Sequence, residues 1–376
     1  MTPYIHELPD WPAFRCDSDA LAAPLAAVRH RQGRLLGRLK SLGFAFRRET
    51  QLESLTLDVL KSSEIEGELL NPQQVRSSIA RRLGTDAGSA VPTDRRVEGV
   101  VEMALDATLG YDRPLGAERL FGWHGALFPT GRNGIRPIII GAWRDDARGP
   151  MQVVSGPAGW EVVHFEAPAA LRLEAEMSRF FSFANDEHDG IDPVLKAALA
   201  HLWFVTIHPF DDGNGRVARA VAEWQLARAD GCPQRFYSMS AQIRIEREAY
   251  YQMLEQTQRS TLDITPWISW FLGCLDRAFG RTESTISAVI RKARRWESVA
   301  HVQTNGRQRD MVNRLIEGFA GRLTTKKWAA LQGCSHDTEL RDIQGLIERG
   351  VLVKEDAGAP ATRSETHSAS RSIARP

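Results

Sequence analysis

Twelve consecutive residues, HPFDDGNGRVAR from His208 to Arg219, hold the densest set of chemically active side chains in the sequence. A histidine leads, two carboxylates and a glycine-rich turn follow, and two arginines close the run. Glycines let backbone N–H groups approach a phosphate and adopt positive φ. A helix start leaves N–H groups unpaired and attracts anions. Gly213, Asn214 and Gly215 would line such a nest. Arg216 and Arg219 stand three apart, so on a helix they share a face and can each grip phosphate oxygens with a planar fork. A carboxylate beside phosphates calls for a cation between them, and Mg²⁺ held by Asp212 supplies one. His208, with an unperturbed pKa of about 6.5, is largely neutral at cytosolic pH and suits a general base. The set reads as a phosphoryl or nucleotidyl transfer site. It is not a P-loop, because the sequence has no Gly-Lys dipeptide. GNG alone would be an ordinary helix-to-helix turn; the ordered set is not.

The elements around the motif must be helices. Asp192-Pro193 opens one, with Val194, Leu195, Ala198, Leu199, Leu202 and Val205 at helical spacing. It ends at His208, since the residue before a proline avoids helix. A second starts around Gly215 or Arg216. Elsewhere, helices are expected at 21–42, through 52–66 with Gly67 as the stop, from the Asn71 cap and Pro72, and near 94–109, 117–128 and 168–184. Residues 84–93 read as a loop. Between 150 and 168, Val153-Val154 and Val162-Val163 flank a Gly/Pro turn and predict a β-hairpin. The helical domain ends near Gly280 and a long basic helix follows, with RKARR at 291–295. Helices at 308–319, 324–331 and 335–349, then a short strand VLV at 351–353, suggest a winged helix-turn-helix. The tail is compositionally disordered.

Composition narrows the class. The 376 residues allow two or three domains, and 43% hydrophobic with 25% charged residues is globular. A net charge of +1 argues against a general nucleic-acid or membrane-surface binder. Four cysteines far apart, with no CxxC, suggest neither a zinc site nor a disulfide framework. No signal peptide and no run of roughly 20 apolar residues is present, so a cytoplasmic protein that does not enter the membrane is expected.

HPFDDGNGRVAR resembles the signature of the Fic family, HPFx(D/E)GNGRxxR, at every defined position. ALAHLWFVTIHPF, MQVVSGP and ELPDWPAF extend the resemblance to a bacterial subgroup with an N-terminal helical extension and a C-terminal winged helix. The resemblance implies a mainly α fold: an N-terminal helical region (1–93), a Fic core with a β-hairpin flap (94–280), a linker helix and winged helix (281–356), and a disordered tail (357–376). It implies transfer of AMP from ATP to a Ser, Thr or Tyr hydroxyl of target proteins and of the chain itself, with pyrophosphate released. Position by position, His208 would deprotonate the target hydroxyl and Phe210 would anchor the loop. Asp212 would bind Mg²⁺, Gly213, Asn214 and Gly215 would cradle phosphate, and Arg216 and Arg219 would hold the remaining phosphates. The flap, Gln152, Val153 and Val154, would dock an extended target segment as an added strand. Adenine would stack on aromatic groups after the motif, with Tyr250, Tyr251 and Trp267 as candidates and Tyr251 preferred.

SSEIEGE (62–68) reads on its own residues as a solvated acidic helix end. It also resembles the family's inhibitory motif, (S/T)xxxE(G/N). On that resemblance Ser62 and Glu66 form a brake in which Glu66 pairs with Arg219 and displaces the γ-phosphate. Alternatives stay open: a Fic enzyme that moves another phosphoryl group or removes AMP, or a winged-helix transcriptional regulator with a nucleotide-sensing core. DNA binding is not favoured, because Asp337, Glu339 and Asp342 lie on the would-be recognition helix. The sequence leaves a homo-oligomer open.

Overall fold

The computed structural model describes residues 3–40, 43–84, 91–157, 160–299, 303–318 and 323–352. The chain divides into two compact units, Met1–Thr282 and Glu283–Pro376. Residues 1–93 and 94–280 therefore share one unit.

In chain order the first unit holds α1 (Ser18–Lys40), α2 (Phe44–Ile65), α3 (Pro72–Arg82), α4 (Arg95–Leu109) and α5 (Ala117–Leu127). Two hairpins follow, β1 (Arg132–Asn133) with β2 (Arg136–Pro137), and β3 (Gln152–Ser155) with β4 (Val162–Glu166). Then come α6 (Leu173–Asn185), α7 (Pro193–Ile207), α8 (Asn214–Asp230), α9 (Met239–Ile245), α10 (Arg247–Gln258) and α11 (Thr265–Val299), in which the unit boundary falls. The fold is mainly helical, as expected.

α7 and α8 form the centre. α7 begins where Asp192 Oδ1 accepts the Val194 N–H, with Pro193 in the first turn. It is buried on nearly every side, as an all-round apolar helix must be. It stops at His208, whose backbone is left-handed (φ 52°, ψ 58°). Among the described residues His208 alone, apart from glycines, has positive φ. α8 is equally buried and starts at Asn214, immediately after Gly213 at φ 77°. A Cβ at Gly213 would press on Phe128 and Leu127, so glycine is required there twice over. α2 ends at Ile65; Gly67 at φ 82° turns the chain back, and Glu68 N–H reaches Ser63 O.

β3 and β4 are antiparallel, with Val153 opposite Phe165 and Ser155 opposite Val162, and a bulge between Val153 and Val154. The outer edge of β4 is occupied. Arg259 donates to the Val163 and His164 carbonyls (2.8 and 3.0 Å), and His6 Nε2 to that of Glu166 (2.8 Å). Among the described residues the outer edge of β3 carries no strand.

The second unit holds α12 (Gly306–Gly318), α13 (Thr325–Gln332) and α14 (His336–Glu348), packed on Met311, Val312, Trp328 and Leu346. The expected strand is not formed at its described residues. Val351 and Leu352 bend back, and both N–H groups go to Leu346 O (2.8 and 3.2 Å), because closing α14 uses the donors a strand would need. Val353 and the 357–376 tail lie outside the described residues, as do 85–90 of the expected loop. Two of the three acids on α14 differ from expectation: Glu339 and Asp342 are buried, Asp342 paired with Arg307 (2.8 Å), whereas Asp337 is exposed.

Candidate functional site

The turn between α7 and α8 is cross-braced by its own side chains. Asn214 Oδ1 accepts from Phe210 N–H (3.0 Å) and its Nδ2 donates to Phe210 O (2.7 Å), closing the loop like a buckle. Phe210 is fully buried and stacks face to face on His124, with ring centroids 4.1 Å apart and planes 4° apart. His124 also reaches Asp212 O through Nε2 (3.2 Å). Asp211 accepts the Ile139 N–H (3.0 Å).

His208 is held from both ends. Its carbonyl accepts from Arg144 Nε (2.8 Å), and Arg144, with no exposed side-chain surface, also binds Asp146 (2.8 Å) and Pro168 O (2.5 Å). Its ring Nδ1 lies 3.0 Å from Val205 O. A carbonyl only accepts, so Nδ1 carries the proton and Nε2 keeps its lone pair. Burial lowers the His208 pKa to about 4, against the raising effect of the Val205 carbonyl. The ring is thus neutral near pH 7, in the tautomer a base needs.

At the start of α8 the anion-binding groups already hold carboxylates. Arg219 is buried; its Nε donates to Ser62 Oγ (2.9 Å), its Nη2 to Ser62 O (2.8 Å), and its Nη1 forms an ion pair with Glu66 Oε1 (2.8 Å). Burial alone would lower the Arg219 pKa, but the Glu66 carboxylate holds it above the usual value. The Glu66 carboxylate also overlies the first turn of α8, where a Cβ at Gly215 would collide with it. Arg216 donates to Glu68 Oε2 (2.6 Å) and lies over the Phe128 ring. Each arginine of the motif therefore has its own carboxylate from the end of α2. That end is fastened down in turn: Arg247 donates to Ile65 O (2.8 Å), and Arg244 pairs with Glu64 (3.0 Å).

Asp212 is half-buried and accepts from Gly213 N–H (2.5 Å) and from Asn133 Nδ2 in β1 (2.6 Å). One carboxylate beside an anion-binding helix start is a donor set that suits Mg²⁺ completed by phosphate oxygens and water. Among the described residues no group of three or more His, Cys, Asp or Glu converges as a cage.

The aromatic candidates separate. Tyr251 is half-buried at this site, with its hydroxyl 3.5 Å from Ile65 O and Arg247 over its ring. Tyr250 bonds His201 (2.9 Å) and Trp267 bonds Ala198 O (2.8 Å); both are buried core residues. Gln152, Val153 and Val154 lie in β3; Arg144, eight residues before it, bonds the carbonyls of His208 and of Pro168, just after β4. Arg144, His124, Asn133 and Glu68 were not among the sequence candidates. Each comes from a segment far along the chain or, for Glu68, from beyond a helix stop.

Residues 114–226 match the Fic/DOC family, and residues 4–85 match a domain of unknown function, DUF4172. Over 102 residues the chain is 35% identical to the protein adenylyltransferase Fic of Drosophila virilis, covering 27% of this chain and 19% of that protein. Over 112 residues it is 36% identical to the protein of the same name from Nematostella vectensis, covering 29% and 24%. The chain thus spans at most about a quarter of these relatives' length. A crystal structure of a Fic family protein from Desulfovibrio desulfuricans superposes with a TM-score of 0.51 at 21% identity, covering 89% of this chain and 90% of that one. That likeness extends the shared fold well beyond the matched segment.

Proposed function

This chain carries a domain of the Fic/DOC family, and on that premise we propose that it transfers AMP from ATP to a hydroxyl side chain of a target protein, releasing pyrophosphate. The observation that carries the reading is the pairing at α8: two buried arginines at a helix start, each paired with a carboxylate, beside a histidine whose Nδ1 is engaged by the Val205 carbonyl.

In this reading His208 Nε2 takes the proton from the target hydroxyl as its oxygen attacks the α-phosphorus. The N–H groups of Gly213, Asn214 and Gly215 and the forks of Arg216 and Arg219 hold phosphate oxygens as charge builds on them. Asp212 would hold Mg²⁺, which when bound neutralises phosphate charge. Asn214 and Phe210 fix the loop, and Tyr251 would flank adenine. A target segment would add to the open edge of β3, because Arg259 and His6 occupy that of β4. Glu66 is the brake: while it holds Arg219, ATP binds with displaced phosphates, and displacement of about 1 Å costs about 100-fold in rate.

Labelled ATP with a cell lysate tests this. Glu66→Gly should raise protein labelling well above wild type, and Glu66→Gly with His208→Ala should abolish it. Mass spectrometry should find AMP on the products. Equal labelling by wild type and Glu66→Gly would remove the brake; phosphate or UMP in place of AMP would change the reaction.

A further inference from the structure

Between α5 and β3 the chain makes a hairpin that core packing does not explain. Every residue from Arg132 to Pro137 is exposed. A two-residue turn, Gly134-Ile135 with Gly134 at φ 57°, closes it and leaves Asn133 paired with Arg136 at the tip. Among the described residues, the hairpin makes one side-chain hydrogen bond to a distant element. It runs from Asn133 Nδ2 to Asp212 Oδ2 (2.6 Å) across 79 positions of sequence. The chain leaving β2 grips the preceding acid as well: Ile138 is buried, and the Ile139 N–H goes to Asp211 Oδ2 (3.0 Å). One short segment thus holds both carboxylates of the motif.

The kind of donor matters. A carboxylate only accepts, so the Asn133 atom facing Asp212 is the amide nitrogen. The Gly213 N–H takes the other oxygen, Oδ1 (2.5 Å). With an oxygen held on each side, the carboxylate plane is fixed, and each oxygen keeps a further lone pair. An amide orients the carboxylate without cancelling its charge. A guanidinium would hold the same oxygen and neutralise it, as Arg219 does for Glu66 and Arg216 for Glu68. The adjacent Arg132 turns back to Ile135 O instead (3.5 Å).

We infer that Asn133 is a positioning residue for Asp212: its neutral amide holds the carboxylate in one orientation at full charge, and so sets the affinity for a divalent cation bound with nucleotide. This role rests on the reading of Asp212 as the Mg²⁺ ligand. Mg²⁺ demands near-ideal octahedral geometry, so a carboxylate free to swing binds it less well. Groups that orient a ligand in this way change metal affinity by about 10–100-fold. Asn133 acts through Asp212 and needs no contact with the nucleotide.

The test uses the full chain with Glu66→Gly, Mn²⁺ in place of Mg²⁺, and an ATP analogue with a methylene bridge between the α- and β-phosphorus, which cannot be cleaved there. Free Mn²⁺ is read by electron paramagnetic resonance, and analogue affinity by calorimetry with Mn²⁺ and in EDTA. Asn133→Ala should weaken Mn²⁺ binding to the analogue-bound protein by about tenfold and leave analogue affinity in EDTA unchanged. In an Asp212→Asn background, which removes the charge, Asn133→Ala should make no further difference. A hairpin that merely supports the fold would lower affinity equally with and without metal. That equal loss would overturn the role, as would unchanged Mn²⁺ affinity in Asn133→Ala, or a full second loss on top of Asp212→Asn. If the Glu66→Gly parent binds the analogue no better with Mn²⁺ than in EDTA, the metal reading of Asp212 fails and the role of Asn133 falls with it. A metal effect in the parent that survives Asn133→Ala sinks the role alone.

Discussion

At the scale of single residues, the site is a competition for donors. Arg219 spends all three guanidinium nitrogens on Ser62 and Glu66, and Arg216 binds Glu68. Glu66 is the carboxylate the sequence motif points to. Glu68 follows Gly67, whose positive φ reverses the chain, so helical spacing gives no hint that it returns to the same face. Its pairing predicts a second, smaller restraint. In a Glu66→Gly background, Glu68→Gln should tighten ATP binding a few-fold by calorimetry, the scale of a half-buried ion pair worth about 1 kcal/mol. Unchanged affinity would mean that Arg216 can serve Glu68 and phosphate at once. His208 gives a pH prediction of definite sign. Its pKa is lowered by burial to about 4, so the unprotonated base persists well below pH 6.5. The acid limb of the Glu66→Gly rate profile should therefore fall below pH 6.5; a limb at or above that value would mean the ring is not desolvated.

At the scale of elements, the site depends on how closely helices approach. Gly99 in α4 meets the Ala126 carbonyl of α5 so closely that any Cβ would overlap it. α5 carries His124, which stacks on Phe210, so this contact sets the floor of the motif loop. Gly99→Ala should cost about 1–3 kcal/mol or more, read from the midpoint of urea unfolding, and should weaken ATP binding. A neutral outcome would show that α5 can shift without cost. The α7-turn-α8 unit and the hairpin were legible in the sequence because their signals are local: the Asp192 cap, Pro209, the Gly213 turn and the paired valines. The supports were not. Arg144 looks like any surface arginine until folding removes it from water beside the His208 and Pro168 carbonyls. Tyr250 and Trp267 had the right composition for an adenine shelf, but their polar atoms are spent on His201 and Ala198 inside the core. At Val351 and Leu352 the expected strand failed for a similar reason, since the Leu346 carbonyl takes their donors.

At the scale of the whole molecule, histidines held neutral by burial make the fold acid-sensitive. Burial lowers His124 to about 4, His201 to about 3 and His208 to about 4. Unfolded, each returns to roughly 6.5, so between those values the unfolded chain binds more protons and stability rises with pH. Buried Glu223, raised to about 7 by desolvation, works in the opposite direction near neutrality, which makes a difference measurement necessary. The melting temperature should fall from pH 6.5 to pH 4, and His201→Phe should flatten that slope relative to wild type; parallel slopes would contradict a neutral His201. The way α2 is fastened has its own consequence. With the Ile65 carbonyl tied to Arg247 and Glu64 to Arg244, the proposed brake would work by movement of the Glu66 side chain rather than of the helix end. Such a device behaves as a dripping tap, not a trapdoor: output would scale smoothly with warmth and with nucleotide supply, showing no threshold, and a resting trickle of product would be built into it.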